Sequence, residues 1–352
     1  MPQVAPAVRA VGGRGTVGQR RGSRLGMALL GLLLVGFSLV AGLGRAVAAE
    51  PLPQIWMAAT EPFRRAALGW GRNDYMELFP PGAPWRTAAR HVQVFQIAKQ
   101  FVERASAQQL SLVIAGLRRR GIALAMQGVP NIAPRGCGRG IESYGPPRDM
   151  ANDAARIKRL GGQLAYISMD EPLFYGHLFT PHDQRVACHA PIATIAADAA
   201  RKIAAARRIF PSVQVGDTEP FGIPFISAGA WASLLQHWFS AFQAATGQPL
   251  AFVHADIVWL RPNAISQFEA AVPVIRRNGI PLGIIYNGTP ADPTSAAWVA
   301  DAKNHIRLIE RRLGIVPAMA VFQTWTKRPR QMLPDTAANT LTGLIAAYVA
   351  GH

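Results

Sequence analysis

The chain reads as a (β/α)8 barrel, and three observations carry that reading. Eight short apolar runs follow residue 50, each stopping at a polar, acidic or aromatic residue. They begin near Ile55, Val92, Ile122, Leu164, Val213, Leu250, Leu282 and Met319, about 30–50 residues apart, which leaves room for a helix between successive strands. Stripes of helical period lie between the runs. An open doubly wound sheet competes, but no Gly-x-Gly-x-x-Gly follows the first run and no P-loop is present.

In chain order, the run at Ile55 is followed by residues 60–91, which hold at most a short helix. After the second run, Leu110, Val113, Ile114 and Leu117 fall at i, i+3, i+4 and i+7. After the fifth, Trp231, Leu234, Leu235, Trp238, Phe239 and Phe242 form a stronger stripe. Ile265, Phe268, Val272 and Ile275 follow the sixth run, and Leu341, Leu344, Ile345 and Tyr348 the last. Such stripes belong against a sheet. Residues 60–91, 129–148 and 172–191 are long segments that each follow a strand, so all three are expected to build the barrel mouth.

The formal charge of +17 overstates the basicity of the barrel. Residues 1–49 carry six arginines and no acid, which leaves +11 for the remainder. Arg118-Arg119-Arg120-Gly121, Arg276-Arg277-Asn278-Gly279 and Arg311-Arg312-Leu313-Gly314 each close a helical pattern, as does Arg207-Arg208 without the glycine. Cations there complement the helix dipole, and glycine supplies a left-handed cap. These charges are expected on the face opposite the mouth, so net charge does not call for a nucleic-acid partner.

At the N-terminus, five arginines up to Arg24 precede an apolar stretch from Met27 to Gly44, and Ala46-Val47-Ala48-Ala49 follows. This pattern predicts a leader over residues 1–49, either a cleaved export signal or a membrane anchor, ahead of one barrel domain over 50–352. The protein is then exported, periplasmic or secreted, and touches a membrane only through an uncleaved leader. Export makes Cys137 and Cys188, in the loops after the third and fourth runs, a candidate disulfide.

Barrel enzymes place their chemistry at the carboxyl ends of strands. Asp170 and Glu171 end the fourth run, Asp217 and Glu219 the fifth, and Asp256 the sixth, with Glu61 after the first. Paired carboxyl groups across a glycosidic bond, one protonating the leaving oxygen and one serving as nucleophile or base, are the requirement of glycoside hydrolysis. The segment Met169-Asp170-Glu171-Pro172 resembles the fourth-strand end of retaining barrel glycosidases of the broad cellulase and β-mannanase superfamily, where Asn-Glu-Pro carries the acid/base glutamate. The resemblance covers the barrel outline and this short motif. It implies that Glu171 is the general acid/base and that Asp170 stands at the asparagine's position.

That superfamily takes its nucleophile from the seventh strand, but here the seventh run ends Ile285-Tyr286-Asn287-Gly288 with no acid. Either the second carboxylate comes from strand five or strand six, or the mechanism is not that superfamily's. Strand five is favoured, since Asp217 and Glu219 share one side of it by alternation and Pro220 follows Glu219 as Pro172 follows Glu171. Among other strand-end residues, Trp56, Tyr286 and Trp325 suit stacking on pyranose faces. Gln96, Gln127, His254, Asn287 and Gln323 suit hydroxyl recognition.

These residues predict an exported glycosidase acting on an oligosaccharide or polysaccharide, with no cofactor. A glycan-binding barrel without turnover is the alternative. A metal-dependent barrel hydrolase ranks lower: His177, His182, Asp183 and His189 cluster in one loop, but no His-Glu-x-x-His is present and no metal ligands are assigned.

Overall fold

The computed structural model describes residues 52–352; the expected leader over 1–49 lies outside the described residues. Eight barrel strands are numbered in chain order: β1 (Gln54–Ala58), β2 (Val92–Ala98), β3 (Ala123–Gly128), β4 (Leu164–Asp170), β5 (Gln214–Phe221), β6 (Val253–Ile257), β7 (Leu282–Tyr286) and β8 (Met319–Gln323). All neighbours pair in parallel, and β8 closes on β1 from Gln54↔Met319 to Ala58↔Gln323. The chain is therefore a closed (β/α)8 barrel. Seven strands begin within a residue of their sequence-predicted starts. The sixth ladder begins at Asp217↔Val253, three residues beyond Leu250, although Ala251 N already donates to Val215 O at 2.8 Å.

Side chains alternate between two environments along each strand. Trp56, Val94, Ala125, Phe252, Ile285 and Val321 fill the barrel interior as a separate cluster. The other parity, including Ile55, Phe95, Met126, Ile167 and Ile284, packs outward against the helices. This parity decides which strand-end residues reach the mouth.

The α-helices, in chain order, are α1 (Pro62–Ala67), α2 (Arg86–Ala89), α3 (Lys99–Arg104), α4 (Ala107–Arg119), α5 (Asp149–Arg159), α6 (Ile192–Arg207), α7 (Ala228–Thr246), α8 (Ala264–Arg277), α9 (Ser295–Ile306) and α10 (Leu341–Ala350), and the helical stripes form as the sequence requires. Helix α4 (Ala107–Arg119) opens on a reciprocal Ser106–Gln109 capping box and buries Leu110, Val113, Ile114 and Leu117. Helix α7 (Ala228–Thr246) is capped by Ser227 and buries Trp231, Leu235, Trp238, Phe239 and Phe242, with Leu234 half-buried. Gly121, Gly279 and Gly314 lie at φ between +63° and +68°, the left-handed turn in which an L side chain is strained.

Residues 60–91 depart from expectation. Only their start builds the mouth, through the short helix α1 (Pro62–Ala67) with its N-cap Glu61. Tyr75, Leu78 and Phe79 then bury completely against Phe95 and Phe101, on the outer side of β2. Phe79 O reaches the base of the barrel, where it accepts from Arg119 (2.9 Å) and Arg120 (3.2 Å) at the end of α4. The segment stands in for the first outer helix because its apolar residues have no other cover.

The other two long loops do build the mouth. A Cys137–Cys188 disulfide, Cα–Cα 5.2 Å, ties them together. The buried Lys202 ammonium donates to Val129 O and Asn131 O at 2.8 Å and to Gly145 O at 3.0 Å, closing the foot of the first loop. No helix among the described residues is long and apolar enough to cross a membrane.

Candidate active site

Alternation on β4 sends Ile167 and Met169 outward into the helix-facing core and gives Asp170 the opposite parity, over the barrel axis. The next residue ought to point outward. Glu171 instead adopts φ +50°, a conformation disfavoured for a non-glycine residue, while its N–H donates to Thr218 O on β5 at 2.9 Å. Both acids consequently border one cleft at the mouth, about 360 Å³ in volume. Asp256 enters the same cleft from the end of β6.

Gln127 on β3 donates to Asp170 Oδ1 at 2.5 Å and fixes that carboxyl. Gln96, Gln323 and Trp325 also line the cleft. Four buried polar atoms of cleft-lining residues have no hydrogen-bond partner among the described residues: Arg64 Nε, Gln96 Oε1, Asp256 Oδ1 and Trp325 Nε1. Two acceptors and two donors that are desolvated and unpaired favour a ligand rich in hydroxyl groups.

Burial, followed by the Glu142 charge, pushes Asp170 well above the usual carboxylate range. Glu171 is also raised well above its ordinary value, first by burial and then by the neighbouring Asp256 and Asp170. Asp256 is pushed up to about 7 by burial and by Glu142. A raised pKa favours the protonated form of a carboxyl group, as a general acid requires.

Asp217 and Glu219 are not in the cleft. Both are fully buried on the outward face of β5. Asp217 Oδ2 accepts from the Trp238 indole on α7 at 2.6 Å. Glu219 accepts from Leu173 N (2.7 Å) and Phe174 N (3.1 Å), capping the turn that follows β4. The inward parity of β5 belongs to Gly216, Thr218 and Pro220, of which Thr218 and Pro220 line the cleft. A β-carbon at Gly216 would fall 2.3 Å from the Phe252 ring, so glycine is required beneath them.

Four of the expected recognition residues lie elsewhere as well. Trp56 is wholly buried a layer below the mouth, against Tyr166, Phe252 and the edge of His254, with its indole donating to Gln54 Oε1 at 2.8 Å. His254 stacks on Phe252 with ring centroids 4.4 Å apart, and burial lowers its pKa to about 3, keeping it neutral. The Tyr286 hydroxyl points outward and donates to Glu310 Oε1 at 2.6 Å. Asn287 accepts from Trp259 Nε1 at 2.7 Å and lines a neighbouring pocket that shares Val258, Arg261 and Trp325 with the cleft.

The cleft also contains residues that strand-end reasoning missed. Glu142 comes from the loop after β3 and accepts from the Tyr175 hydroxyl at 3.0 Å, while Arg64 and Arg261 come from α1 and the loop after β6. Loop residues carry no periodic signal; their placement depends on how the disulfide-linked loops fold over the mouth. Glu61, considered after the first strand, lines the cleft but spends both oxygens on Phe63 N (2.5 Å) and Arg64 N (2.7 Å). Two of the loop histidines are engaged locally, His177 Nδ1 lying 2.9 Å from Ala190 O and His189 Nδ1 3.3 Å from His177 O, and Asp183 pairs with Arg185.

No protein-family profile and no curated protein sequence matches the chain. Among solved structures it is similar to the AHE enzyme from Alicyclobacillus herbarius, at 14% identity and TM-score 0.48 over 86% of this chain and 99% of that one. It is likewise similar to an intracellular xylanase from Thermoanaerobacterium saccharolyticum, at 10% identity and TM-score 0.47 over 84% of this chain and 95% of that one. A third is Rhizobium etli pyruvate carboxylase, at 9% identity and TM-score 0.43 over 86% of this chain and 27% of that one. Likeness this distant, shared with unrelated chemistries, does not identify the reaction, and the assignment must rest on the cleft itself.

Proposed function

We propose that the protein cleaves glycosidic bonds in an oligosaccharide or polysaccharide, with Glu171 as general acid and Asp256 as its partner carboxylate. The observation that supports this is the convergence of carboxyl groups from β4 and β6 on one cleft that also presents unpaired hydrogen-bonding atoms. Glu171, whose protonated form is favoured by burial and by its acidic neighbours, donates a proton to the departing glycosidic oxygen. Asp256, with a pKa near 7, is substantially ionised at or above neutrality. It then accepts a proton from water attacking the anomeric carbon. Gln127 holds Asp170 in place beside them.

Strand five separates the two catalytic strands. Neighbouring strands lie about 4.8 Å apart, so β4 and β6 backbones are roughly 9–10 Å apart at the mouth. This favours the wide carboxyl separation, about 6.5–9.5 Å, that admits a water and inverts the anomeric centre. The test is NMR of the first product formed from a panel of glycans. Inversion, lost together with turnover in Glu171→Gln and in Asp256→Asn, is the expected outcome. A retained anomeric configuration would reject the water-activating role of Asp256, and binding without release of reducing ends in wild-type protein would leave a glycan-binding barrel.

A further inference from the structure

The base of the barrel, opposite the cleft, gathers the positive charge of the molecule. Helices in a (β/α)8 barrel run back from mouth to base, so their last turns and the turns into the next strand lie together there. Residues 79–91, 118–121, 158–161, 207–210, 276–279 and 307–314 carry fourteen Lys or Arg and a single acid, Glu310. Glu310 is turned away to Tyr286, Tyr348 and His352. The described chain outside these segments is almost neutral, with 17 basic and 18 acidic side chains. Asp335, from the loop after β8, adds one acid to this face, where it accepts from Thr87 N and Ala88 N; the net charge of the barrel is otherwise concentrated there.

Helix dipoles account for only part of it. One cation in a last turn complements a dipole, and the effect fades beyond that turn. Here the helix ends carry doublets, and Arg118, Arg208, Arg276, Arg277, Arg311 and Arg312 are all exposed. None has an ion-pair partner among the described residues. Arg86 and Arg90 add exposed charge on the same face, while Arg119 and Arg120 are partly spent on the Phe79 and Pro80 carbonyls. Unpaired like charges on one face repel, and that repulsion is relieved by an anionic surface.

The base is also the face at which the described chain begins, since β1 starts there at Gln54. The apolar run ending at Gly44 lies nine residues before it, a span of about 30 Å at most when extended. We infer that the arginine-rich base docks on an anionic lipid bilayer, with the cleft facing away from the membrane. A polybasic face on the barrel and an apolar run earlier in the same sequence are two signals of the kind that together give stable membrane attachment.

The test is flotation of full-length protein with phosphatidylcholine vesicles, alone or with one-third phosphatidylglycerol. At 50 mM salt the anionic vesicles should bind at least tenfold more tightly, and the excess should vanish at 0.5 M salt, where exposed charges are screened. Replacing the six exposed base arginines by glutamine should abolish the excess. Replacing Arg72, Arg135, Arg139, Arg148, Lys327 and Arg330 near the mouth should not. Equal binding to both vesicles, or equal losses in the two variants, would overturn the inference. So would retention on nucleic acid or an acidic polysaccharide with no preference for anionic lipid. If the base variant fails to fold, Arg276→Gln/Arg277→Gln and Arg311→Gln/Arg312→Gln should each lose part of the excess and show a shallower salt dependence than wild type, and an unchanged excess in both would overturn the inference.

Discussion

At the end of β4, Asp170 and Glu171 precede Pro172; at the end of β5, Asp217 and Glu219 precede Pro220. The two strands are paired neighbours, Met169 opposite Asp217 and Asp170 opposite Thr218. Yet the first pair lines the cleft, while the second is sealed between the sheet and the surrounding helices, bound to Trp238 and to the turn after β4. An acid at a strand end is therefore a site residue only if the strand's parity, or a break in it, turns the side chain over the axis. The buried β5 acids are not idle. Glu219 supports the backbone immediately after Glu171, so the structural pair positions the cleft pair.

The contrast breaks most directly in turnover. Glu171→Gln should cost about 100-fold or more in rate, because the amide keeps shape and hydrogen bonding but has no proton to give. Glu219→Gln should cost far less, and comparable losses on the same glycan would erase the distinction between the pairs. In stability the order reverses. Glu219→Ala strands the Leu173 and Phe174 N–H groups and should destabilise by about 2–5 kcal/mol in denaturant unfolding. A change under about 0.5 kcal/mol would show that the cap is dispensable.

Asp256→Asn sharpens the comparison through pH. A carboxyl whose folded pKa is raised to about 7 contributes stability that is complete at low pH and lost as pH rises through 7. The asparagine variant should therefore melt roughly 2–4 °C above wild type at pH 8 and show little difference at pH 4, with turnover lost throughout. A difference in melting temperature that does not change with pH would mean that Asp256 is not buried as an acid. The smallest effect belongs to Asp217→Asn. Its remaining oxygen still accepts the Trp238 indole, so unfolding should move by about 1 kcal/mol or less, while Asp217→Ala, which orphans that donor, should cost about 1–3 kcal/mol.

Much of this molecule was legible in one dimension. The apolar runs located the strands, the helical stripes became the buried faces of α4 and α7, and the arginine and glycine endings became helix termini at the base. Asp170, Glu171, Asp256, Gln96, Gln127, Gln323 and Trp325 were placed at strand ends and do line the cleft. The parity of β5 was available too. Val213 and Val215, on the same side as Asp217 and Glu219, belong to the helix-facing core, and that alternation already argued against the strand-five acids.

What the sequence determined by itself are properties of local period and local chemistry: strands, helices, caps and the residues near their ends. The tertiary structure decided which of those ends open on the axis. Glu171 reaches the cleft against its parity through a left-handed residue held by Thr218 O, and Glu142 arrives on a loop with no period at all. Both depend on contacts between segments distant in the chain, made only once the barrel closes and the neighbouring strand supplies the hydrogen bond.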